Sequence, residues 1–276
     1  MLACPMLACP ILGCPMSEHI VIIGAGGHAR VVADILSAQG RHAIGHIDPN
    51  TTLPGVIGTD DTLGTLMRDR GVGGFVIGIG SVRGGQSLRS TLFARACAFG
   101  LQPVTLVHPA ATVSSSARLG AGTVVMAGAI VNPGVVVGEN SIVNTGAIID
   151  HDGRVGAHTH IAPGSTLSGD VTIGDHCLVG TGTIARNGVT VGDGATVGAG
   201  SLLLGHYPGG ATYVGQPARP LHRATAQTVT PPVNMAQGSP TPTSQTKTLS
   251  ADLSRGTAPR AGVSLSDIAR ARTGES

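Results

Sequence analysis

Residues 143–164 read VNTGAIIDHDGRVGAHTHIAPG, and the spacing within this stretch decides the fold. Val143, Ile149, Val155 and Ile161 stand six residues apart. The same interval gives Val113, Leu119, Val125, Val131 and Val137 upstream, and Leu167, Ile173, Val179, Ala185, Val191, Val197 and Leu203 downstream. Only Ala185 departs from Val, Ile or Leu. Glycine follows the aliphatic position at 120, 138, 156, 174, 180, 192 and 198, and small residues precede it by two, as at Ala129, Ala147, Ser165 and Cys177. A helix repeats about every 3.6 residues and a strand alternates by two, so neither keeps this register. The period is that of a hexapeptide solenoid. Each hexad forms one flat side of a triangular coil, with the aliphatic residue inward and small residues at the corners. The spacing predicts an all-β left-handed parallel β-helix over residues 109–223. Side chains this small supply little burial against the entropy of ordering, so oligomerisation is expected.

Composition agrees. The 276 residues include 43 glycines, 2% aromatics and no tryptophan, which excludes a core built on large rings. Charged residues are 12% and the net charge is +2, so there is no electrostatic footprint for nucleic acid. No apolar run reaches the ~20 residues a membrane helix needs, and a soluble, cytoplasmic protein is expected. Cys4, Cys9 and Cys14 fall in MLACPMLACPILGCP, where prolines interrupt any signal-peptide core. Residues 1–17 read as a non-native or disordered extension, with Met16 as the true start. Cys97 and Cys177 then remain, without a disulfide. Residues 224–276 are rich in Ser, Thr, Pro and Gln and predict a disordered tail, with one short helix near 265–272.

Residues 18–108 have a different character. HIVIIG at 19–24 leads into Gly24-Ala25-Gly26-Gly27-His28-Ala29 and a helical pattern through Leu36. Further strands are expected at 43–47 and 74–80, and helices at 61–70 and 86–99. Alternating strands and helices predict an α/β, Rossmann-like small parallel sheet with helices on both faces. Gly24, Gly26 and Ala29, with Asp48 at a strand end, fit the dinucleotide fingerprint; alone they suggest NAD.

The glycine turn followed by hexads resembles the sugar acetyltransferases of the NeuD/PglD type, hexapeptide-repeat enzymes of cell-surface polysaccharide biosynthesis. The resemblance runs from about residue 19 to 221. It rests on IIGAGGHARVV at 22–32, VHPAATVSSSA at 107–117, the 143–164 stretch and YVGQPARPL at 213–221. It implies acetyl-CoA as co-substrate, no metal, a homotrimer, and a nucleotide-linked amino sugar or sialic acid as acceptor. His151 aligns with the catalytic base and Asp152 with its acidic neighbour, although Asp stands where Glu is expected and Asp150 is a rival. His160 aligns with a histidine near the thioester. Thr181 and Ala199 align with backbone contacts to CoA, and Arg219 with a basic residue facing a CoA phosphate. Gly26, Gly27, His28, Asp48 and Gly80 align with the nucleotide-sugar contacts. Pro49 and Ser81-Val82 depart from the family pattern at that site.

Each residue has a plainer reading. His151 fits an exposed corner, Arg219 a solvated charge, Cys177 a small-residue site of the repeat, and the N-terminal domain a structural role. His158 matches no family role and reads as surface. Zinc is disfavoured, because the spacings among His151, His158, His160 and His176 do not match the β-helical carbonic anhydrases. The leading expectation is direct acetyl transfer with His151 as general base. Its rivals are a non-catalytic nucleotide-sugar-binding scaffold or regulator, and an NAD-dependent enzyme.

Overall fold

The structure, a computed structural model, describes residues 19–80 and 86–221, with the side chains of Gln86 and Ser87 left out. The expectations for 1–17, 224–276 and Ser81-Val82 lie outside the described residues.

The N-terminal part contains β1 (His19–Ile23), α1 (Gly27–Ala38), β2 (Ala43–Ile47), β3 (Val56–Gly58), α2 (Leu63–Arg70), β4 (Val72–Ile77), α3 (Gln86–Ala98) and β5 (Gln102–Pro103). The strands form one parallel sheet in the order β3-β2-β1-β4-β5. The short β3 and β5 go beyond the strands the sequence pattern predicts, and β4 runs from Val72 to Ile77 rather than over 74–80. Alternation along β1 sets the layers, because successive side chains of a strand point to opposite faces. Ile20 and Ile22 pack with Ala29, Val32, Ile35 and Leu36 of α1. Val21 and Ile23 pack with Leu63 and Leu66 of α2 and Leu92, Phe93 and Ala96 of α3.

The hexads form a left-handed parallel β-helix of three sheets. One sheet runs through Leu106–Val107, Val124–Val125, Ile142–Val143, His160–Ile161, Leu178–Val179, Thr196–Val197 and Thr212–Val214. Its outward Leu106, Val124 and Ile142 share a core with α1, so this is the docked face. The second, apolar face presents Thr112, Ile130, Ile148, Thr166, Ile184 and Leu202 outward. The third, polar face presents Arg118, Val136, Arg154, Thr172, Thr190 and His206. From Val125 to Leu203 every inward aliphatic residue is buried.

Two features of the repeat acquire causes. A Cβ on Gly138 would collide with the backbone of Ala157 one coil on, so the glycine after the inward residue serves close coil approach. The small polar residue two before the inward position caps the next coil: Ser141 Oγ donates to the Gly156 carbonyl at 2.8 Å, Thr159 Oγ1 to that of Gly174 at 2.8 Å, and Cys177 Sγ to that of Gly192 at 3.2 Å. The left-handed backbone falls instead at the third residue after the inward one. Most coils put glycine there, as at Gly164 (φ 65°), but Asn140, Asp152, His158, Asp170 and His176 also adopt it, with φ between 49° and 61°.

The solenoid is longer than the hexad count. Its first strand is Leu106–Val107, and after Leu203 the spacing shortens so that Tyr207 pairs with Val191 and Tyr213 with Val197. The two tyrosines of the sequence close the end of the prism with rings 5.0 Å apart. Their hydroxyls stay bonded: Tyr207 accepts from Leu204 N at 3.1 Å, and Tyr213 donates to the Pro208 carbonyl at 2.7 Å.

Candidate active site

The three edges of the prism carry different chemistry. The edge between apolar and polar faces holds Asp150, His151 and Asp152. Residue 151 lies two past inward Ile149, so the turn projects it outward, and its side chain is 56% exposed. Its Nδ1 is 2.9 Å from Asp152 Oδ2. Asp150 faces elsewhere: its Oδ1 accepts from the His151 backbone N–H at 2.8 Å and from Asn132 Nδ2 at 2.8 Å. Between the two rival carboxylates, the imidazole contact therefore goes to Asp152. The shorter side chain reaches because its backbone is left-handed (φ 61°), which turns the carboxylate back toward the preceding residue.

Asp152, by accepting this hydrogen bond, holds the His151 pKa above its ordinary value, with the charges of Asp150 and Asp170 acting in the same direction and partial desolvation opposing. The His151 N–H and the Asn132 amide hold the Asp150 carboxyl below the usual carboxylate range. The imidazole also lies over Gly169 of the next coil, where a Cβ would sit 2.5 Å from Cε1 and Nε2. Asn132 and Gly169 escaped the sequence reading. Their signal is positional, one coil before and after the 150–152 turn.

The edge between docked and apolar faces holds Thr181 and Ala199, both exposed and stacked one coil apart, with Gly200 N donating to the Thr181 carbonyl at 2.8 Å. Beside it, His160 is buried on the docked face, its Nε2 2.9 Å from Asn144 Nδ2. His28 at the start of α1 lies close enough to His160 to feel its charge. Burial first, then Arg89 and His160, push the His28 pKa down to about 3, so this histidine is neutral. Its Nε2 is enclosed without a hydrogen-bond partner among the described residues. Gly80 borders it, 3.7 Å from a Cβ position to the His28 ring.

The glycine turn opens α1. Gly26 is the N-cap, with no side chain capping the helix, and Gly26 and Gly27 are exposed. Asp48 braces this turn: its Oδ2 accepts from Ala25 N at 2.9 Å and its Oδ1 from Asn50 N at 3.0 Å. Arg219 is exposed, and its Nη1 donates to the Ala218 carbonyl at 3.2 Å.

The third edge corrects one expectation. His158 is not a surface residue: its side chain is 13% exposed, edge-on to Phe93 of α3 at 5.7 Å and stacked on His176 at 4.9 Å. Burial pushes its pKa down to about 4. The α/β part docks on this corner, which a repeat pattern alone does not reveal. Cys177 is buried, and burial raises its thiol to about 11, which suits packing rather than nucleophilic chemistry.

A chain therefore separates its site residues. His28, Gly80 and His160 come together, and Thr181 and Ala199 share the edge beside His160. His151 and Asp152 stand on a different edge, across the apolar face.

Residues 170–204 match the hexapeptide repeat of succinyl-transferase family, and with the exposed histidine–carboxylate pair they define the class: a hexapeptide-repeat acyltransferase. Residues 19–92 match the PglD N-terminal domain family. PerB from Caulobacter crescentus, solved with CoA and GDP-perosamine, is 38% identical, covers 74% of this chain and 97% of its own, and superposes with a TM-score of 0.70. The acetyltransferase domain of PglB from Neisseria gonorrhoeae FA1090 is 39% identical over 74% of this chain and 100% of its own, with a TM-score of 0.69. WeeI from Acinetobacter baumannii AYE, at 24% identity over 73% of this chain and 99% of its own and a TM-score of 0.62, shares the fold. A search of curated protein sequences gave no match. The chain belongs to the sugar acetyltransferases of the hexapeptide superfamily that carry a PglD-type N-terminal domain. Among the described residues no helix is long and apolar enough to cross a membrane.

Proposed function

We propose that this protein moves an acetyl group from acetyl-CoA to the amino group of a nucleotide-linked sugar, by direct attack and with His151 as general base. The observation that carries this reading is the His151–Asp152 pair, 2.9 Å apart on an exposed edge. Asp152 engages Nδ1, so Nε2 is the nitrogen left to take a proton from the attacking amine. As the N–C bond forms, the C–S bond breaks. The thiolate of CoA leaves and is protonated by the imidazolium, which returns His151 to its neutral form. The choice of donor and acceptor is supported by likeness to PerB, whose structure holds CoA and GDP-perosamine, and to the PglB domain solved with acetyl coenzyme A. A hydroxyl acceptor or free sialic acid fits the same chemistry, and an acceptor panel separates them.

The site is completed in a homotrimer in this reading. Within one chain a whole face separates His151 from His28 and His160. That face is apolar, with Ile184 51% exposed on it and Leu204, 39% exposed, at its edge. Threefold closure sets one protomer's His151 edge against its neighbour's His160 edge and covers this face. Gly26, Gly27, His28, Asp48 and Gly80 then hold the nucleotide sugar, and Thr181, Ala199 and Arg219 the CoA. A cytoplasmic location accords with both co-substrates.

The test is thiol release from acetyl-CoA with UDP-, GDP- and dTDP-linked amino sugars and free sialic acid. Release with one class, abolished in His151→Ala, is the expected result. Full turnover in His151→Ala removes the mechanism. Nucleotide-sugar binding without transfer by the wild type favours the scaffold reading instead.

A further inference from the structure

Arg89 of α3 is 0% exposed and the largest fully enclosed side chain among the described residues. A guanidinium at this depth ordinarily faces a carboxylate. No described carboxylate pairs with it. Among the described residues its acceptors are carbonyl and amide oxygens. Nη1 donates to the carbonyls of Ile77, at 3.4 Å, and Ile79. Nη2 donates to the carbonyl of Asn140 at 2.9 Å and to its Oδ1 at 2.8 Å, and Asn140 Nδ2 donates back to the Arg89 carbonyl at 3.2 Å. Burial pushes the Arg89 pKa down to about 9, a measure of how poorly this site solvates a cation.

What Arg89 grips is informative. Ile77 and Ile79 bracket the end of β4, and this segment walls the glycine turn. A Cβ on Gly24 would meet Ile79 Cγ1 at 2.7 Å, one on Gly78 would collide with Ile22 and Ala29, and Gly80 borders His28. Asn140 belongs to the solenoid and is itself fully buried at a left-handed corner (φ 49°). The apolar clusters already join α1, α2 and α3 to the sheet. A buried guanidinium adds little net stability to such a joint, because the cost of desolvating the cation offsets the hydrogen bonds it makes.

We propose that Arg89 is a positioning residue for the acceptor: it pins the Ile77–Ile79 strand end to the Asn140 corner, so that the glycine turn and His28 hold the nucleotide sugar in register with the solenoid. This rests on the acceptor-binding reading of the glycine turn. Among the described residues Arg89 hydrogen-bonds to neither Thr181 nor Ala199, the residues read as the CoA edge, so the acceptor side is where its loss is expected to be felt first.

The experiment measures acceptor dissociation constants calorimetrically without acetyl-CoA, using GDP-perosamine or whichever UDP- or dTDP-linked amino sugar binds the wild type most tightly. Steady-state kinetics for both substrates accompany it. Arg89→Met is expected to weaken acceptor binding roughly tenfold or more through misplacement of the turn. The acetyl-CoA KM should stay within about twofold, the split that marks a loss confined to one substrate. Arg89→Lys recovers part of the affinity, since one ammonium reaches a single set of carbonyls. Asn140→Gly keeps the left-handed corner and shifts binding the same way by less. An unchanged acceptor constant in a folded Arg89→Met, or a parallel loss for both substrates, overturns the proposal. If Arg89→Met does not fold, an unchanged constant in Asn140→Gly does so, as does a wild type that binds no member of the panel. A wild type that binds acceptor but transfers nothing defeats the transferase reading and leaves the Arg89 comparison intact.

Discussion

The His151 imidazole fills the space that a side chain at Gly169 would need: a Cβ on the glycine would lie 2.5 Å from Cε1 and Nε2 of the ring. The catalytic candidate is thus seated on the next coil as well as paired with Asp152. Gly169 is not in the left-handed region, so alanine there is sterically rather than conformationally costly. The exposed imidazole is able to swing away. Gly169→Ala is expected to fold normally yet lose roughly 100-fold in kcat, the scale of a displacement of about 1 Å at a reacting group. A variant with wild-type kcat and Tm shows that the seat is irrelevant.

The pH profile should carry the mark of Asp152. A general base acts in its neutral form, and the raised pKa of His151 delays that form to higher pH. The rising limb of kcat/KM is therefore expected above the ordinary histidine value of about 6.5. Asp152→Asn removes the largest cause of the shift, so its limb moves to lower pH while kcat falls. A limb that stays in place in Asp152→Asn assigns the titration to another group.

Acid should loosen the joint between the two parts of the chain. His28 and His158 have folded-state pKa values of about 3 and about 4, below the unfolded value of 6.5. As pH falls below 6.5 the unfolded chain takes up protons that the fold refuses, so stability is present above that pH and declines toward 4. The slope reaches about 1.4 kcal/mol per pH unit for each such group. Denaturant midpoints between pH 6.5 and 4 should fall less steeply in His158→Gln. Equal slopes exclude His158 as a source.

Two isoleucines should separate folding from assembly. Ile149 is fully buried inside the prism, and Ile149→Ala should cost about 2–5 kcal/mol. Ile184 is 51% exposed on the apolar face, so Ile184→Asp should leave folded protomers that sediment as smaller species and lose activity. A stable, active trimer in Ile184→Asp relocates the interface.

The repeat was legible because each hexad solves the same local problem: an inward aliphatic side chain, a glycine that lets the next coil close in, and a turn. Translation along the prism copies that solution into the sequence, so the outward place of His151 followed from its offset from Ile149. The glycine turn was legible for a similar reason, as a strand, turn and helix contiguous in the chain. The end of the solenoid was less so, since a shortened loop breaks the period before Tyr207 and Tyr213.

The amino-acid order by itself thus determined the prism, its sheet-bearing partner and the outward place of His151. Tertiary structure alone decided that Asp152 rather than Asp150 meets the imidazole, that Gly169 leaves it room, and that His158 is half-buried against Phe93. It also joined Arg89 to Asn140, 51 residues away. The physical reason is singularity. A repeat records what every coil has in common, whereas these contacts depend on how one turn orients its side chains, on single positions of neighbouring coils and on the docking of one part on the other, which leave no repeating mark.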